Sequence, residues 1–281
     1  MREIQPGIVP DPQRQEEVLW QVDEAGIATL TLNRVAKHNA FDACMIDLLI
    51  HRLDYLALRN DVRCLVLRAN GQHFSAGADL NWMQSMAGSS RKQNIGDATN
   101  LARLMQTLDT FPYPTLAVVQ GSAFGGALGL ICCCDIALAS RNARFCLSEV
   151  RLGLVPATIG PYVIRAMGSR QARRYMLSAE PITAKRAEQL NLIHQIHGDD
   201  DLEQALSTQL EYLLQNSPDA QRKAKMLCHQ CDHHPMDEQL IHYTSQLIAE
   251  VRTSPQGQEG LQAFLEKRTP DWASSGHKER Q

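Results

Sequence analysis

The stretch Val119-Gln-Gly-Ser-Ala-Phe-Gly-Gly-Ala-Leu-Gly-Leu-Ile-Cys-Cys-Cys-Asp135 constrains this chain more than any other. A β-branched run from Thr115 leads into Gly121 and then Gly125-Gly126, followed by an uncharged segment without proline that stops at Asp135. This pattern predicts a strand, a glycine turn and a buried helix. Glycines let main chain approach a ligand closely, and the first N–H groups of the following helix lack partners and sit at its positive end. The product is an anion hole made of backbone. There is no Gly-Lys-Ser/Thr ending of a P-loop and no G-x-G-x-x-G register of a dinucleotide fold, so the two occupants left open are a phosphate and a developing oxyanion. A third reading is that Gly125, Gly126 and Gly129 only permit close helix packing.

Two further stretches bear on the choice. Upstream lies His73-Phe-Ser-Ala-Gly-Ala-Asp79-Leu-Asn-Trp-Met83, a second glycine loop opening a helix, with Asp79 where a carboxylate caps free N–H groups. Downstream lies Ala143-Arg-Phe-Cys-Leu-Ser-Glu149-Val-Arg-Leu-Gly153-Leu-Val-Pro156. In this order and spacing the three stretches resemble the enoyl-CoA hydratase/isomerase (crotonase) family, and the likeness runs from about Val18 to Phe264-Leu-Glu-Lys267.

Composition narrows the classes. A net charge of −3 gives no basic field for a polyanion, so nucleic acid is not expected as a partner. The apolar stretch from Ala123 to Cys134 is well short of the ~20 residues of a membrane span, and the first ten residues lack the apolar core of a signal peptide. Neither a membrane nor a secretory location is expected, and the cytoplasm is. The eight cysteines read as reduced. Cys132, Cys133 and Cys134 diverge around a helix and cannot chelate one metal together. Cys228-His-Gln-Cys231-Asp-His-His234 has no second C-x-x-C after it and continues a helical pattern, so no metal site is expected.

Along the chain, residues 1–17 carry three prolines and no periodicity and are expected to be a mobile arm. Residues 18–22 and 27–32 alternate as a hairpin. Asp42 is placed to cap a helix with apolar positions Met45, Leu48, Leu49, Leu53 and Leu56. Residues 64–68 predict a buried strand, 85–97 a polar loop flexing over an acyl site, about 100–110 a helix, and 136–140 and 143–146 strands. This is an α/β alternation. From Gly160 onward the pattern turns helical: an amphipathic run over 165–177, a helix from Thr183, a strand at 193–197, a helix over 199–216, and helices opened by Ser217-Pro218 and Ser254-Pro255 with another between them. The division expected is the arm, an α/β core over 18–198, a helical region over 199–268 and a polar tail over 269–281.

The resemblance implies the crotonase spiral of ββα units, with the C-terminal helices forming trimers or pairs of trimers, a homohexamer. It implies an acyl-CoA thioester substrate and no separate cofactor, CoA being part of the substrate. The matching oxyanion amides are those of Ala78 and Gly126, and Glu149 stands at the family's catalytic glutamate. Ala76 matches the residue whose carbonyl meets the adenine amine. Asp79, Lys37 and Trp82 border CoA or the acyl group, while Phe264 and Lys267 match residues that approach CoA on a neighbouring subunit. The residue readings also leave Lys37 as a solvated loop lysine, Trp82 as core, and Glu149 as a structural ion-pair partner of Arg144 or Arg151. Two-glutamate hydratases carry a second glutamate where this chain has Gly129, so either Glu149 does both jobs or the substrate or another side chain helps. The local wording looks most like methylglutaconyl-CoA hydratases of leucine breakdown, which implies hydration of 3-methylglutaconyl-CoA to 3-hydroxy-3-methylglutaryl-CoA. Alternatives are an isohexenylglutaconyl-CoA (carboxygeranoyl-CoA) hydratase of acyclic terpene degradation, an enoyl-CoA isomerase, and a non-catalytic CoA-ester binding protein.

Overall fold

Alternation of period two in residues covered on both sides builds the centre of the molecule. The structure, a computed structural model, describes residues 12–232 and 234–274. Strands β1 (Val18–Val22) and β2 (Ile27–Leu32) form the hairpin, and helix α1 (Ala43–Ala57) follows, capped by Asp42 accepting from the Met45 amide at 3.0 Å. All five apolar positions expected on α1 are buried. Next come β3 (Cys64–Ala69), α2 (Leu80–Ala87), α3 (Arg91–Asp109), β4 (Thr115–Val119), β5 (Ser122–Phe124), α4 (Gly126–Cys133), β6 (Ile136–Ser140) and β7 (Arg144–Cys146). The chain continues through α5 (Gly160–Met167), α6 (Ser169–Ser178), β8 (Ile182–Thr183), α7 (Ala184–Gln189) and β9 (Gln195–His197). It closes with α8 (Leu202–Leu214), α9 (Pro218–Cys231), α10 (Glu238–Thr253), α11 (Pro255–Glu266) and α12 (Asp271–Ser274).

The main sheet has the order β1-β2-β3-β4-β6-β9, parallel except for the β1–β2 hairpin, and a second small sheet has the order β5-β7-β8. This is an α/β fold with helices at its C-terminal end, as the sequence alternation predicts. On one face of the main sheet Leu65, Leu67, Ala117 and Val119 enter the large core with α1, α3 and α4. On the other, Cys64, Val66, Leu116, Val118 and Leu138 pack on Leu202, Ala205 and Leu206 of α8. Asp135 ends the apolar segment for a structural reason. Its Oδ2 accepts from the Thr115 amide at 2.7 Å, the Thr115 hydroxyl at 2.9 Å and Lys225 Nζ at 2.7 Å, tying α9 to the strand before the glycine turn. Cys133 is buried in α4, and burial pushes its thiol well above the usual range, so it packs as a small apolar residue.

Several expectations are corrected. Residues 1–11 lie outside the described residues, but Pro12–Glu17 forms a 3-10 helix, pinned where Arg14 bridges Glu17 and, at 2.7 Å, Asp42. The polar run 85–97 is not one loop: α2 extends to Ala87 and α3 begins at Arg91, started by a capping box between Ser90 and Gln93. The amphipathic run 165–177 is split at Gly168, whose φ of +75° ends α5 and starts α6. In the tail, α12 holds Trp272, whose indole N–H donates to the Gln215 carbonyl at 3.1 Å; residues 275–281 lie outside the described residues.

Candidate active site

Two glycine loops are laced together by main chain. The Phe74 amide donates to the Gln120 carbonyl at 2.9 Å, the Ser75 amide to Ser122 at 3.0 Å, and the Phe124 amide back to Ser75 at 3.1 Å. So close an approach requires Gly77, which has φ +95° and whose Cα faces the Phe124 carbonyl so tightly that a Cβ would lie 3.0 Å from its oxygen. On the other edge Phe41 pairs with Ala78 as a parallel bridge. The Phe41 amide donates to Gly77 at 2.7 Å and the Asp79 amide to Phe41 at 2.8 Å. In such a bridge the central residue's own N–H points away from its partner strand. The Ala78 N–H is therefore turned from Phe41, and among the described residues it has no acceptor.

Gly126 is the first residue of α4, so its N–H lies before any intrahelical acceptor. Gly125 ahead of it (φ +53°) is anchored by its amide to the Cys146 carbonyl at 3.0 Å. That bond brings the end of β7 against the turn, and the chain then delivers Glu149 at the start of a 3-10 helix, Glu149–Leu152. The carboxyl lies directly over Gly125, where a Cβ would be 3.2 Å from Glu149 Oε1. The other oxygen, Oε2, is buried with no hydrogen-bond partner among the described residues. Desolvation by burial pushes the Glu149 pKa above the ordinary carboxylate value, against a weaker opposing pull from its own amide. Neither arginine considered as an ion-pair partner reaches it: Arg144 bonds the Asn142 and Ala143 carbonyls, and Arg151 the Ala179 carbonyl.

Ala78, Gly126 and Glu149 line one cavity of about 600 Å³, a volume within the usual range for small-molecule sites. Ala76 and Trp82 are on the same wall, Trp82 also touching the core. Asp79 is spent inside the protein. Its Oδ1 accepts from the Asn81 and Trp82 amides at 2.8 and 3.2 Å, and its Oδ2 from Arg34 at 3.0 Å. Burial raises its pKa, but these amides and the guanidinium outweigh that and hold it below the usual range. It supports the loop and does not face the cavity. Lys37 lies exposed on the Val35–Lys37 turn, Phe264 is 81% exposed on α11, and Lys267 caps that helix; none of the three lines the cavity.

Four contributors were not legible as site residues: Phe41, which fixes Ala78; Ile159, on the cavity wall against Gly129; Asp97, the other carboxylate on that wall; and Arg34. A Cβ on Gly129 would lie 2.4 Å from Ile159 Cγ2 and 2.8 Å from Met105 Sδ, so the place of a second glutamate is already filled.

Unpaired backbone donors lining one cavity with a desolvated carboxyl can stabilise an enolate-like oxygen and move a proton next to it. Comparison with known proteins agrees. The chain matches the profile "Enoyl-CoA hydratase/isomerase" over residues 23–275. It is 34% identical over 248 residues, 88% of this chain and 94% of the other, to 2,3-dehydroadipyl-CoA hydratase of Escherichia coli K12. A solved enoyl-CoA hydratase from Shewanella pealeana ATCC 700345 superposes with a TM-score of 0.89 at 50% identity, covering 92% of this chain and 97% of that one. Pseudomonas aeruginosa AtuE gives 0.89 at 34%, covering 92% and 100%. The chain thus belongs to the enoyl-CoA hydratase/isomerase family and is an enzyme of the hydro-lyase type.

Proposed function

We propose that this enzyme hydrates a branched α,β-unsaturated acyl-CoA, 3-methylglutaconyl-CoA, to 3-hydroxy-3-methylglutaryl-CoA. The observation that carries the chemistry is the convergence of the free Ala78 and Gly126 amides and the Glu149 carboxyl on one cavity. The thioester oxygen sits between the two N–H groups. The Glu149 carboxylate takes a proton from water as the hydroxyl adds to the β-carbon, the electron pair collects on the thioester oxygen, and protonated Glu149 then gives that proton to the α-carbon. With Gly129 blocked by Ile159, one carboxyl serves both steps. Loss of one oxyanion donor typically costs ~3 kcal/mol, so most of the rate is expected to depend on the two loops.

Support for a dicarboxylic acyl group comes from the E. coli relative, whose name specifies a dehydroadipyl thioester. Ser148 and Thr158 line the same cavity, and their hydroxyls would serve the distal carboxylate. A second reading, an acyl chain without that carboxylate, is favoured by the wall itself: no lysine or arginine lines the cavity among the described residues, and Asp97 does. The isohexenylglutaconyl thioester and a β,γ-unsaturated isomer belong in the same assay. The reading predicts a kcat/KM for 3-methylglutaconyl-CoA at least about tenfold above that for crotonyl-CoA, a difference of ~1.4 kcal/mol. Preference for crotonyl-CoA would transfer the case to the second reading, preference for the isohexenyl ester to the terpene alternative, and turnover of only the β,γ-isomer to an isomerase.

Further proposals concern the protein's setting. Leu261, Phe264 and Leu265 leave an exposed apolar face on α11, which suits burial by further copies in a homotrimer or homohexamer. Lys37 would border CoA from the loop after β2, and Phe264 and Lys267 would approach the CoA of a neighbouring subunit. No helix among the described residues is long and apolar enough to cross a membrane, and the cytoplasm is the compartment proposed.

A further inference from the structure

The Ala78 amide has to be aimed, and the elements that aim it converge on one side chain. Arg34 lies in the loop after β2, with its side chain 16% exposed. Its own amide donates to Asn39 Oδ1 at 2.8 Å, which sets the turn from which the side chain departs. Its Nη1 donates to two acceptors: the Ala40 carbonyl at 2.9 Å and Asp79 Oδ2 at 3.0 Å. Its Nη2 reaches Asp42 Oδ2 at 3.0 Å, and its Nε lies 3.7 Å from Glu17 Oε2.

These acceptors occupy telling places in the chain. Ala40 precedes Phe41, the residue whose backbone holds Gly77 and Asp79 on either side of Ala78. Asp79 follows Ala78 and caps α2. Asp42 follows Phe41 and caps α1. One guanidinium thus grips both strands of the Phe41–Ala78 bridge, at residues adjoining it, while the Ala78 N–H is left facing away from the grip. A planar fork with donors in fixed directions can do this; a lysine ammonium, a single point of charge, cannot span the same acceptors at once.

We infer that Arg34 is a positioning residue for the proposed oxyanion hole, fixing the direction of the Ala78 N–H through Ala40 and Asp79. It does not touch the substrate. The inference rests on the hydratase reading above. The alternative is that Arg34 only neutralises Glu17, Asp42 and Asp79, in which case its loss would lower stability and leave the chemistry of the folded protein alone.

The test compares the parent enzyme with Arg34→Met and Arg34→Lys, using crotonyl-CoA turnover, thermal unfolding, and the absorbance of bound 2,4-hexadienoyl-CoA. Hydrogen bonds to the thioester oxygen pull electron density along the conjugated chain and move its band to longer wavelength. The parent is expected to show that red shift. Arg34→Met is expected to bind the dienoyl ester yet lose most of the shift, with kcat down about tenfold to a hundredfold and KM within about threefold, because a donor misdirected costs up to what a donor removed does. Arg34→Lys, which keeps the charge, is expected to recover most of the lost stability but less than half of the red shift. Variants that melt earlier but keep the parent's red shift and kcat overturn the inference. Should Arg34→Met not fold, the lysine variant decides: a full red shift and full kcat there refute the role. A parent that binds the ester with no red shift and turns over neither crotonyl-CoA nor 3-methylglutaconyl-CoA would instead refute the function on which the inference rests.

Discussion

Gly129 offers the sharpest quantitative check, because a helix interior normally improves when glycine becomes alanine. The gain in helix propensity is ~1 kcal/mol. Here the added methyl would lie 2.4 Å from Ile159 Cγ2, 2.8 Å from Ile159 Cβ and 2.8 Å from Met105 Sδ, in a fully packed region. Overpacking of this kind costs ~1–3 kcal/mol, and three approaches this short argue for the upper end. The balance is a net loss of about 2 kcal/mol, or roughly 4–8 °C in melting temperature for a protein of this size class. Gly129→Glu, which would restore the two-glutamate arrangement, must also bury a charge without a partner, and is expected to be worse and to gain no hydratase activity. Ile159→Ala should cost ~2–5 kcal/mol alone by opening a cavity. Combined with Gly129→Ala, it should cost less than the sum of the two by about 1–3 kcal/mol, since each change relieves the other. Urea unfolding of the four proteins measures this cycle. A Gly129→Ala variant as stable as the parent, or additivity within about 0.5 kcal/mol, would refute the claim that Ile159 holds the second glutamate's place.

Three other outcomes are expected. Glu149→Gln should lower kcat on an enoyl-CoA by ~10²–10⁴-fold while leaving thioester affinity nearly unchanged, as read by initial rates and calorimetry; parent-like turnover would remove Glu149 from the mechanism. The raised Glu149 pKa has a definite sign for stability: the buried carboxyl is tolerated while neutral, below its unfolded value, and destabilises as pH rises through the folded value. Glu149→Gln should therefore melt above the parent at pH 8 and lose that advantage toward pH 4, and hydration by the parent should fall on the acid side as the carboxylate is protonated. Finally, Ser148→Ala with Thr158→Val should raise KM for 3-methylglutaconyl-CoA by roughly tenfold, about the worth of one hydrogen bond to a charged group, and leave KM for crotonyl-CoA within about twofold.

Local patterns that report local physics were legible. The Asp42, Asp79, Ser217 and Ser254 caps each show as a side chain accepting from a first-turn amide, because a cap involves residues only two or three apart. The first turns of α3 are not legible, since 91–98 lack the apolar spacing of a core-facing helix. They hang over solvent and the cavity mouth, and the capping box at Ser90 and Gln93 was the available signal. Strand β5 is only three residues long and inside what reads as a glycine turn. Its pairing with β7 and the bridge to Ser75 are what make it a strand, and neither partner is near in sequence.

The site divides along the same line. Gly125, Gly126 and the run to Asp135 announce a backbone turn because glycine is itself the signal of a special backbone, and Asp79 announces the second loop. Nothing announces Phe41, Arg34 or Ile159, which have ordinary side chains in ordinary positions and acquire their roles only when remote segments meet. The same holds for Gly129: from sequence it is a missing acid, whereas in the fold it is space taken by Ile159. That difference changes the chemistry to be expected. A glycine beside an open space would leave room for an ordered water to stand in for the absent carboxylate, but a glycine pressed against an isoleucine leaves none. Under the proposed function, the proton that leaves water and the proton that reaches the α-carbon then pass through the same carboxyl, Glu149, whose second oxygen has no protein partner among the described residues to compete for it.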